Sequence, residues 1–426
     1  MFRRVTGPLA RTDAEIQGRA AFLFPESVSV PLIGYLPSMI YLSIALLYAL
    51  PISRSSAIRF LLGDIMAKEI VRDKADIDRF YIPLPDDFHA HLRQGALLRA
   101  SVRGHAGQFG RVLLMPNTLP PIASSSLLEA YIAEVDQALA ELPLEERFEP
   151  LYTFKLLPWM RGADIEALAR AGSIAGKYYP SGSTTNAADG PRSFDEVEEV
   201  LNTMEAMGLV LCIHGEDPSA HILEREQAFL PQVERLILRH PRLRVVLEHL
   251  SDAKSVHFVQ QGSENLAATI TAHHLLFTLD DVMAEALNPH LYCKPVLKFE
   301  RDRDALRMAV LSGSNKFFFG SDSAPHLREK KESAAAASGV YSAPTALPAL
   351  VELFDDLGGL DQLIPFLSEN GARFYGLEAK PSFERQEQQN LDARSIAFER
   401  IPWTVPAMID GIVPMCAGQR LSWRAV

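Results

Sequence analysis

His89 and His91 have a residue type and a spacing that suit metal binding in this 426-residue chain. They lie two residues apart in the segment DDFHAHLRQG, whose alternation favours a strand. In a strand, residues i and i+2 project from the same face, so both imidazoles could bind one ion. A lone His-x-His is more often a pair of solvated side chains. The interpretation therefore depends on the rest of the chain.

Further residues with metal-binding chemistry each follow a short apolar run: Lys177, His214, His249 and Asp322. Apolar runs of roughly five to eight residues between turns predict buried strands. The predicted strands span residues 82–89, 111–115, 150–157, 173–179, 209–213, 244–248, 266–271 and 316–320. Apolar spacing of three and four predicts helices over residues 124–142, 162–171, 193–207, 221–239, 252–261, 301–312 and 343–357.

Strands that alternate with helices predict an α/β fold, a parallel (β/α)8 TIM barrel. In this fold the catalytic groups come from the carboxyl ends of different strands. The possible ligands would lie at the ends of the first, fourth, fifth, sixth and eighth strands. Side chains that meet at one end of a barrel can share one site. The sequence therefore predicts a metal-dependent barrel.

Composition excludes several other classes of protein. The net charge is -11, and no basic stretch is interleaved with aromatic residues, so we expect no nucleic-acid partner. A chain with 48% hydrophobic residues can bury a full core. The cysteines, Cys212, Cys293 and Cys416, show no CxxC pattern, which argues against a disulfide framework or a thiolate zinc site. We expect a cytoplasmic protein.

The first 65 residues differ from the rest of the chain. Residues 27–53 among them contain no charged side chain and are long enough to span a bilayer. One interpretation is a membrane anchor. The other is an over-extended reading frame, with the natural product starting at Met66. We favour the second, because nothing in a barrel of this kind needs a membrane. We therefore predict an N-terminal extension, 1–65, and a single barrel domain, 66–426.

The part of the chain from about residue 80 to 420 carries a family resemblance. Its motifs are DDFHAHLRQG, LLMPNTLPP, GKYYPSGSTTN, CIHGE, LEHL, HLYCKPVLK, GSDSAPH and SAPTAL. Through these motifs the chain resembles the dihydroorotases of the amidohydrolase superfamily, of the single-domain bacterial and plant type. The resemblance implies reversible hydrolysis of dihydroorotate to N-carbamoyl-L-aspartate in pyrimidine synthesis. It also implies a homodimer.

The resemblance further implies two zinc ions per chain, although histidine and carboxylate ligands would accept cobalt or manganese as well. It implies that carbon dioxide carboxylates Lys177 to a carbamate that bridges the ions. The implied ligands are His89, His91 and Asp322 for the more buried ion and His214 and His249 for the other. Two ions that share a bridging water can supply hydroxide at neutral pH. Asp322 would then act as general base and general acid.

The substrate carries a carboxylate, so its pocket needs cations and hydrogen-bond donors. Arg93 offers a planar fork for a carboxylate, and the resemblance gives it this role together with Asn117 and His326. It also implies that Thr184 and Thr185, in the segment SGSTTNAADG, hydrogen-bond to substrate from a loop that closes over it. Two further contacts are expected from positions where relatives differ in residue type, Lys294 and Ser338.

Two alternatives remain open at this point. Another cyclic amidohydrolase, a hydantoinase or allantoinase, would share the metal ligands and differ in the pocket. Arg93, Asn117 and His326 argue against it, because a hydantoin ring lacks the carboxylate that they would bind. A non-catalytic homologue that supports a partner enzyme would not need all the metal ligands. Activity with dihydroorotate against hydantoin tests the first alternative, and metal content tests the second.

Overall fold

The computed structural model describes residues 77–378 and 394–426. The predicted extension, 1–65, and its uncharged segment, 27–53, lie outside the described residues. Within the described ranges, none of the helices has the length and apolar character needed to cross a bilayer.

The described strands, numbered in chain order, are β1 Arg79–Pro83, β2 Asp86–Ala90, β3 Arg111–Leu114, β4 Glu149–Lys155, β5 Ser173–Tyr178, β6 Val210–Ile213, β7 Arg244–Leu247, β8 Leu266–Ile270, β9 Phe317–Phe319, β10 Ser395–Glu399, β11 Trp403–Thr404, β12 Arg420–Leu421 and β13 Arg424–Ala425. The described α-helices are α1 Ala96–His105, α2 Ser125–Ala140, α3 Gly162–Arg170, α4 Glu198–Met207, α5 Arg225–Arg239, α6 Ala253–Gln261, α7 Ala272–Leu276, α8 Leu279–Met283, α9 Glu300–Leu311, α10 Arg328–Lys331, α11 Ala343–Asp356 and α12 Asn370–Tyr375.

Strands β2 to β9 form one parallel sheet whose order follows the chain. After β9, the last strand of this sheet, the chain hydrogen-bonds to the end of β2, the first strand. The N–H of Asp322 donates to the carbonyl of His89 at 2.8 Å, and the N–H of His91 donates to the carbonyl of Ser323 at 3.0 Å. Helices alternate with the strands along the chain. The predicted (β/α)8 TIM barrel is confirmed.

The predicted first strand, 82–89, is wrong as a single element. The structure divides it between β1, which pairs antiparallel with β10, and β2, which begins the barrel. Pro83 and Pro85 explain the division, because a proline has no N–H to donate to a sheet and is tolerated only at strand edges. The predicted helix 193–207 is likewise two elements, a short 3-10 helix at Phe194–Val197 followed by α4.

Side chains along each barrel strand alternate between two hydrophobic clusters. The larger cluster contains residues such as Leu211 and Ile213 and packs against the helices. The smaller one contains Val210 and Cys212 from the same strand, together with Tyr375 of α12. This period of two is the geometry of a strand with both faces buried. The smaller cluster therefore lies on the inner face of the barrel.

The two-residue step continues beyond the inner cluster to the carboxyl ends of the strands. Ala175 is followed in this step by Lys177, Cys212 by His214, and Met115 by Asn117. Val246 is followed in the same way by Glu248. Strand periodicity therefore brings polar side chains to one end of the barrel, where they face one another.

Candidate active site

The site lies around a cavity at the carboxyl ends of the barrel strands. Most of the predicted site residues line it: His89, His91, Arg93, Asn117, Thr184, Thr185, His214, His249, Lys294, Asp322 and Ser338. Two further predicted residues lie beside it. Lys177 is fully buried below the ring of Tyr179, and His326 contacts Arg93 and lines an adjoining pocket together with Asn117 and Thr185. The structure therefore brings the predicted residues together in one place.

His89, His91 and Asp322 form the first group of possible metal ligands. The Nε2 atoms of His89 and His91 lie 3.4 Å and 3.1 Å from Oδ1 of Asp322. One ligand atom from each residue lies within 4.8 Å of the others, and all three side chains are buried. Such separations suit three ligands of one ion.

His214 and His249 form a second pair beside the first group. Nδ1 of His214 lies 3.2 Å from Nε2 of His249, and the ring of His249 is 5.1 Å from that of His89. Two nitrogen ligands of one tetrahedral zinc lie roughly 3.3 Å apart when each bond is about 2.0–2.1 Å. The pair therefore has the spacing of two ligands of a second ion.

Each of three histidines is held by a hydrogen bond on the side away from the site. Nδ1 of His89 bonds to Glu248 at 2.7 Å, and Nδ1 of His91 bonds to Oδ1 of Asn117 at 2.7 Å. Nε2 of His214 bonds to Glu216 at 2.8 Å. Such outer partners fix which ring nitrogen carries the proton and leave the other free to bind a metal.

Lys177 reaches the same region from β5. Its ammonium nitrogen is buried and, among the described residues, has no hydrogen-bond partner. Burial lowers the pKa of Lys177, and the carboxylates of Glu248 and Asp322 oppose this shift. An unpaired amine in such a place costs free energy unless something else satisfies it.

The protonation states suit metal binding. Burial lowers the pKa of His91 to about 4 and the pKa of His249 well below its usual value, so both rings are neutral near pH 7. Burial alone would raise the pKa of Asp322, but the neighbouring histidines outweigh it and hold the pKa well below its usual range. Neutral imidazoles and an ionised carboxylate are the forms that bind metal ions.

The residues present fit a pair of divalent ions. Nε2 of His89 and Nζ of Lys177 are buried atoms without a hydrogen-bond partner in the part of the chain that the structure describes. The imidazole and carboxylate donors are those that zinc prefers. Unsatisfied donors in a buried cluster of this composition are typical of a metal centre.

Arg93 marks the outer side of the cavity. Its Nη2 atom lies 3.0 Å from Nε2 of His326, and its Nε donates to the carbonyl of Pro325 at 3.3 Å. His326 also lies 3.1 Å from the carbonyl of Ser338. Burial lowers the pKa of the Arg93 guanidinium, which remains charged at neutral pH. This arrangement presents a fixed cation to the cavity.

Three site residues adopt a left-handed backbone that non-glycine residues seldom use. The φ angles are 65° for Arg93, 44° for His249 and 42° for Asp322. At His249 this conformation interrupts the alternation of the strand, so Glu248 and His249 both face the site. Strained residues of this kind cluster at functional sites, where the surrounding structure holds them.

The comparisons with known proteins agree on one family. The amidohydrolase family model matches residues 161–383. The dihydroorotase of Aromatoleum aromaticum is 41% identical over 351 residues, covering 80% of this chain and 98% of that protein. A crystal structure of the Saccharomyces cerevisiae dihydroorotase in complex with 5-fluoroorotic acid superposes with a TM-score of 0.73 at 30% identity, covering 82% of this chain and 98% of that one. This chain belongs to the dihydroorotases, within the amidohydrolase family.

The dihydroorotase barrel is also similar to the L-hydantoinase of Arthrobacter aurescens. That structure has a TM-score of 0.70, covers 82% of this chain and 83% of its own, and is 18% identical. At this identity the likeness shows the fold alone. It lends no weight to the hydantoinase alternative.

The sequence prediction missed several residues of this dihydroorotase site, among them Glu248 and Tyr179. Glu248 holds His89, and Tyr179 lines the cavity with a buried hydroxyl that has no partner among the described residues. The two-residue step would have found both, because Tyr179 follows Lys177 and Glu248 follows Val246 in that step. Neither residue belongs to a metal-binding motif, so the strand period is the signal that indicates them.

A second buried group, His273, His274 and Cys293, also offers ligand atoms within 4.8 Å of one another. Both ring nitrogens of His274 are engaged, with Thr271 at 2.9 Å and with the carbonyl of Pro295 at 3.1 Å. Burial also raises the pKa of the Cys293 thiol. These contacts make the group less suited to an ion than the dihydroorotase site.

Proposed function

We propose that the chain catalyses the reversible hydrolysis of (S)-dihydroorotate to N-carbamoyl-L-aspartate, a step of pyrimidine biosynthesis. The observation that carries the proposal is the juxtaposition of two ligand groups, His89, His91 and Asp322 beside His214 and His249, with the cation of Arg93 across the same cavity. The two ligand groups would hold the metal ions that hydrolysis of an amide needs. The cation of Arg93 would bind the carboxylate of the substrate.

We propose two zinc ions per chain, with a carboxylated Lys177 as the ligand that both share. The unpartnered amine of Lys177 supports this, because a carbamate there would supply anionic oxygens that divalent cations bind. When bound, two divalent ions polarise the amide carbonyl and lower the pKa of a water molecule, which supplies the nucleophile. Glu248, Asn117 and Glu216 orient the histidine rings that hold them.

Asp322 is the proposed catalytic residue. Its carboxylate is ionised at neutral pH and therefore accepts the proton that the attacking water loses. It then donates this proton to the amide nitrogen as the carbon–nitrogen bond of the ring breaks. In the reverse direction the same residue takes the proton from the nitrogen. One side chain serves as base and acid, so the reaction returns it to its starting state.

Arg93, Asn117 and His326 are proposed to bind the substrate carboxylate. Oδ1 of Asn117 already accepts from His91, so its Nδ2 remains as the donor for a ligand. Thr184, Thr185, Lys294 and Ser338 line the remaining wall and are proposed as further contacts. A hydantoin ring would leave the Arg93 cation without an anion, which disfavours the hydantoinase alternative.

The test is an assay of ring opening and ring closure with metal content measured on the same sample. Turnover of dihydroorotate and N-carbamoyl-L-aspartate, with two ions per chain and no turnover of hydantoin, is the expected result. A folded, metal-loaded protein that opens hydantoin and leaves dihydroorotate intact would overturn the proposal. Protein without metal and without turnover would instead support the non-catalytic homologue.

We also propose that residues 66–426 form the enzyme, that it works in the cytoplasm, and that it is a homodimer. The curated relative from Aromatoleum aromaticum aligns over 351 residues, 98% of its own length, which supports an enzyme shorter than the whole chain. Comparing the full chain with one that starts at Met66 tests the first point. Equal kcat and KM are expected, and light scattering gives the oligomeric state.

A further inference from the structure

Lys155 ends β4 and is one of the largest fully buried side chains. Its ammonium group donates to the carbonyl of Asn186 at 2.7 Å and also bonds to the carboxylate of Asp189. Both partners belong to the segment 180–191, which we call the threonine loop because it carries Thr184 and Thr185. A buried lysine therefore connects the barrel wall to the segment that covers the cavity.

The threonine loop is compact in itself. The N–H groups of Gly182 and Gly190 both donate to the carbonyl of Ala187, at 3.0 Å and 3.1 Å. The N–H of Ser181 donates to the carbonyl of Pro191 at 3.0 Å. These bonds make the loop one unit. They connect its base, which includes Asp189, to its tip, which carries Thr184 and Thr185. The contacts of Lys155 are made to the side of the loop that follows the threonines.

The contacts at the tip of the loop are weaker. Oγ1 of Thr185 lies 3.3 Å from Oγ of Ser338, and Nδ2 of Asn186 donates to the carbonyl of Asn117 at 3.4 Å. Both are long, neutral hydrogen bonds, which contribute less than bonds to a charged group. Within the described part of the chain, Asp189 is the only carboxylate paired with Lys155. The charged contact at the base therefore dominates the attachment of the loop.

Lys155 lies behind the cavity rather than in it. It is in register with Lys177 on the neighbouring strand, and the two ammonium groups lie 6.0 Å and 5.3 Å from the centre of the Tyr179 ring. Tyr179 lines the cavity, whereas Lys155 does not. Tyr179 therefore lies between Lys155 and the cavity, and the hydrogen bonds of Lys155 go to the threonine loop.

We propose that Lys155 and Asp189 form a clasp that holds Thr184 and Thr185 over the cavity, so that Lys155 is a positioning residue for substrate binding. The inference rests on the proposed function for the identity of the substrate. The loop is internally hydrogen-bonded, and its charged attachment lies on one side, so the clasp would set the position of the threonines over the cavity.

The decisive variant is D189N, which keeps the size of the side chain and removes the charge. Asp189 is half exposed, and the buried ammonium of Lys155 keeps the carbonyl of Asn186 as an acceptor in this variant. KM for dihydroorotate is expected to rise about tenfold, because the threonine loop loses its bond to a charged group. Metal content is expected to stay at the wild-type value, and kcat is expected to fall less than KM rises.

The matched control is E141Q. Glu141 pairs with Arg99 at 2.8 Å with an exposure similar to that of Asp189, and neither residue lines the cavity. KM of this variant is expected to equal that of the wild type. A purely structural role of the clasp would lower the melting temperature of D189N and leave KM unchanged, and that outcome would overturn the proposal. A KM within twofold of the wild type would do the same.

K155M and K155R extend the test. K155M is expected to raise KM at least as much as D189N, and K155R, which retains a cation, is expected to recover part of the loss. If K155M does not fold, D189N alone decides. No additional loss in the K155M/D189N double variant relative to K155M would place both residues in one interaction; fully additive losses would contradict the clasp.

Amide hydrogen exchange separates the clasp from the proposed function. In D189N, the protected amides of Ser181, Gly182 and Gly190 are expected to exchange at least about tenfold faster, because the loop opens more often. If the wild type does not turn over dihydroorotate, the proposed function fails, while exchange still decides the clasp. Unchanged exchange in D189N would overturn the clasp whatever the substrate is.

Discussion

His89 and Glu248 are joined by a bond of 2.7 Å between Nδ1 and Oε2, and both side chains are fully buried. Glu248 also accepts from the hydroxyl of Thr269 at 2.6 Å. Burial alone would raise the pKa of Glu248, but Lys177 and the hydrogen bonds from His89 and Thr269 outweigh it and lower the pKa. An ionised Glu248 accepts a hydrogen bond from the Nδ1–H of His89, so the lone pair of His89 Nε2 faces the site.

Replacing Glu248 by glutamine should therefore weaken metal binding without removing a ligand. We expect metal affinity to fall by about 10–100-fold, because outer partners of metal ligands typically contribute that much. Competition with a chelator measures it. E352Q is a suitable control, since Glu352 accepts from Ser422 far along the chain from the site residues. Equal affinity in E248Q and the wild type would contradict this role.

Replacing Lys177 by alanine should remove the proposed shared ligand. We expect K177A to lose most of its metal and activity, and to regain part of both in acetate or propionate, whose carboxylates can occupy the same place. Elemental analysis and the ring-opening assay measure the two effects. K254A, at an exposed lysine, serves as the control. Full metal loading of K177A without any added carboxylate would rule out a carbamate ligand.

Replacing Arg93 by methionine should affect substrate more than metal. Loss of one partner of a buried charge pair costs on the order of 2–5 kcal/mol, so kcat/KM for dihydroorotate should fall by about 30-fold or more. Metal content should stay at the wild-type value. Steady-state kinetics on R93M and on R99M, whose exposed arginine pairs with Glu141, give the comparison. An equal change in both variants would exclude a specific role of Arg93.

His326 gives a prediction about pH. Burial, and then the charge of Arg93, lower the pKa of His326 to about 3. Because this value lies below the ordinary 6.5, protonation favours the unfolded chain, and His326 reduces stability as pH falls from 6.5 toward about 3. The ring stays neutral over the range in which free histidine titrates.

H326Q should therefore raise KM and leave the pH dependence of kcat/KM above about pH 5 unchanged. Its melting temperature should also fall less than that of the wild type as the solution is acidified. Kinetics and thermal unfolding across a pH series check both points. An inflection near the ordinary histidine pKa that is present in the wild type and absent from H326Q would show that His326 titrates during catalysis.

Much of the barrel was predictable because its strands have two buried faces and are therefore short, continuous apolar runs. Phe317–Phe319 and Val210–Ile213 are examples in which sequence and structure agree closely. The ends of these runs also located Lys177, His214, His249 and Asp322. Local sequence carries this information because the strand period fixes which residues face the interior.

The rest depends on contacts between residues distant in sequence. Glu248 is 159 residues from His89, and no local pattern pairs them. The left-handed backbone of Asp322 is imposed by its surroundings, since an aspartate by itself prefers other conformations. Lys155 looked like part of an ordinary strand, and only the folded threonine loop gives it a partner. Local sequence patterns therefore do not predict the long-range partners of these residues or the strained backbone at Asp322; both depend on the folded structure.

The small antiparallel sheet of β1, β10 and β13 bears on how the chain folds during synthesis. β1 pairs with β10, from Arg79 opposite Glu399 to Pro83 opposite Ser395, more than 300 positions later along the chain, and β10 pairs with β13. β1 directly precedes the barrel strand that carries His89. On the ribosome, this support is therefore absent until residues 395–425 have emerged, so the amino end of the first barrel strand is secured among the last parts of the molecule.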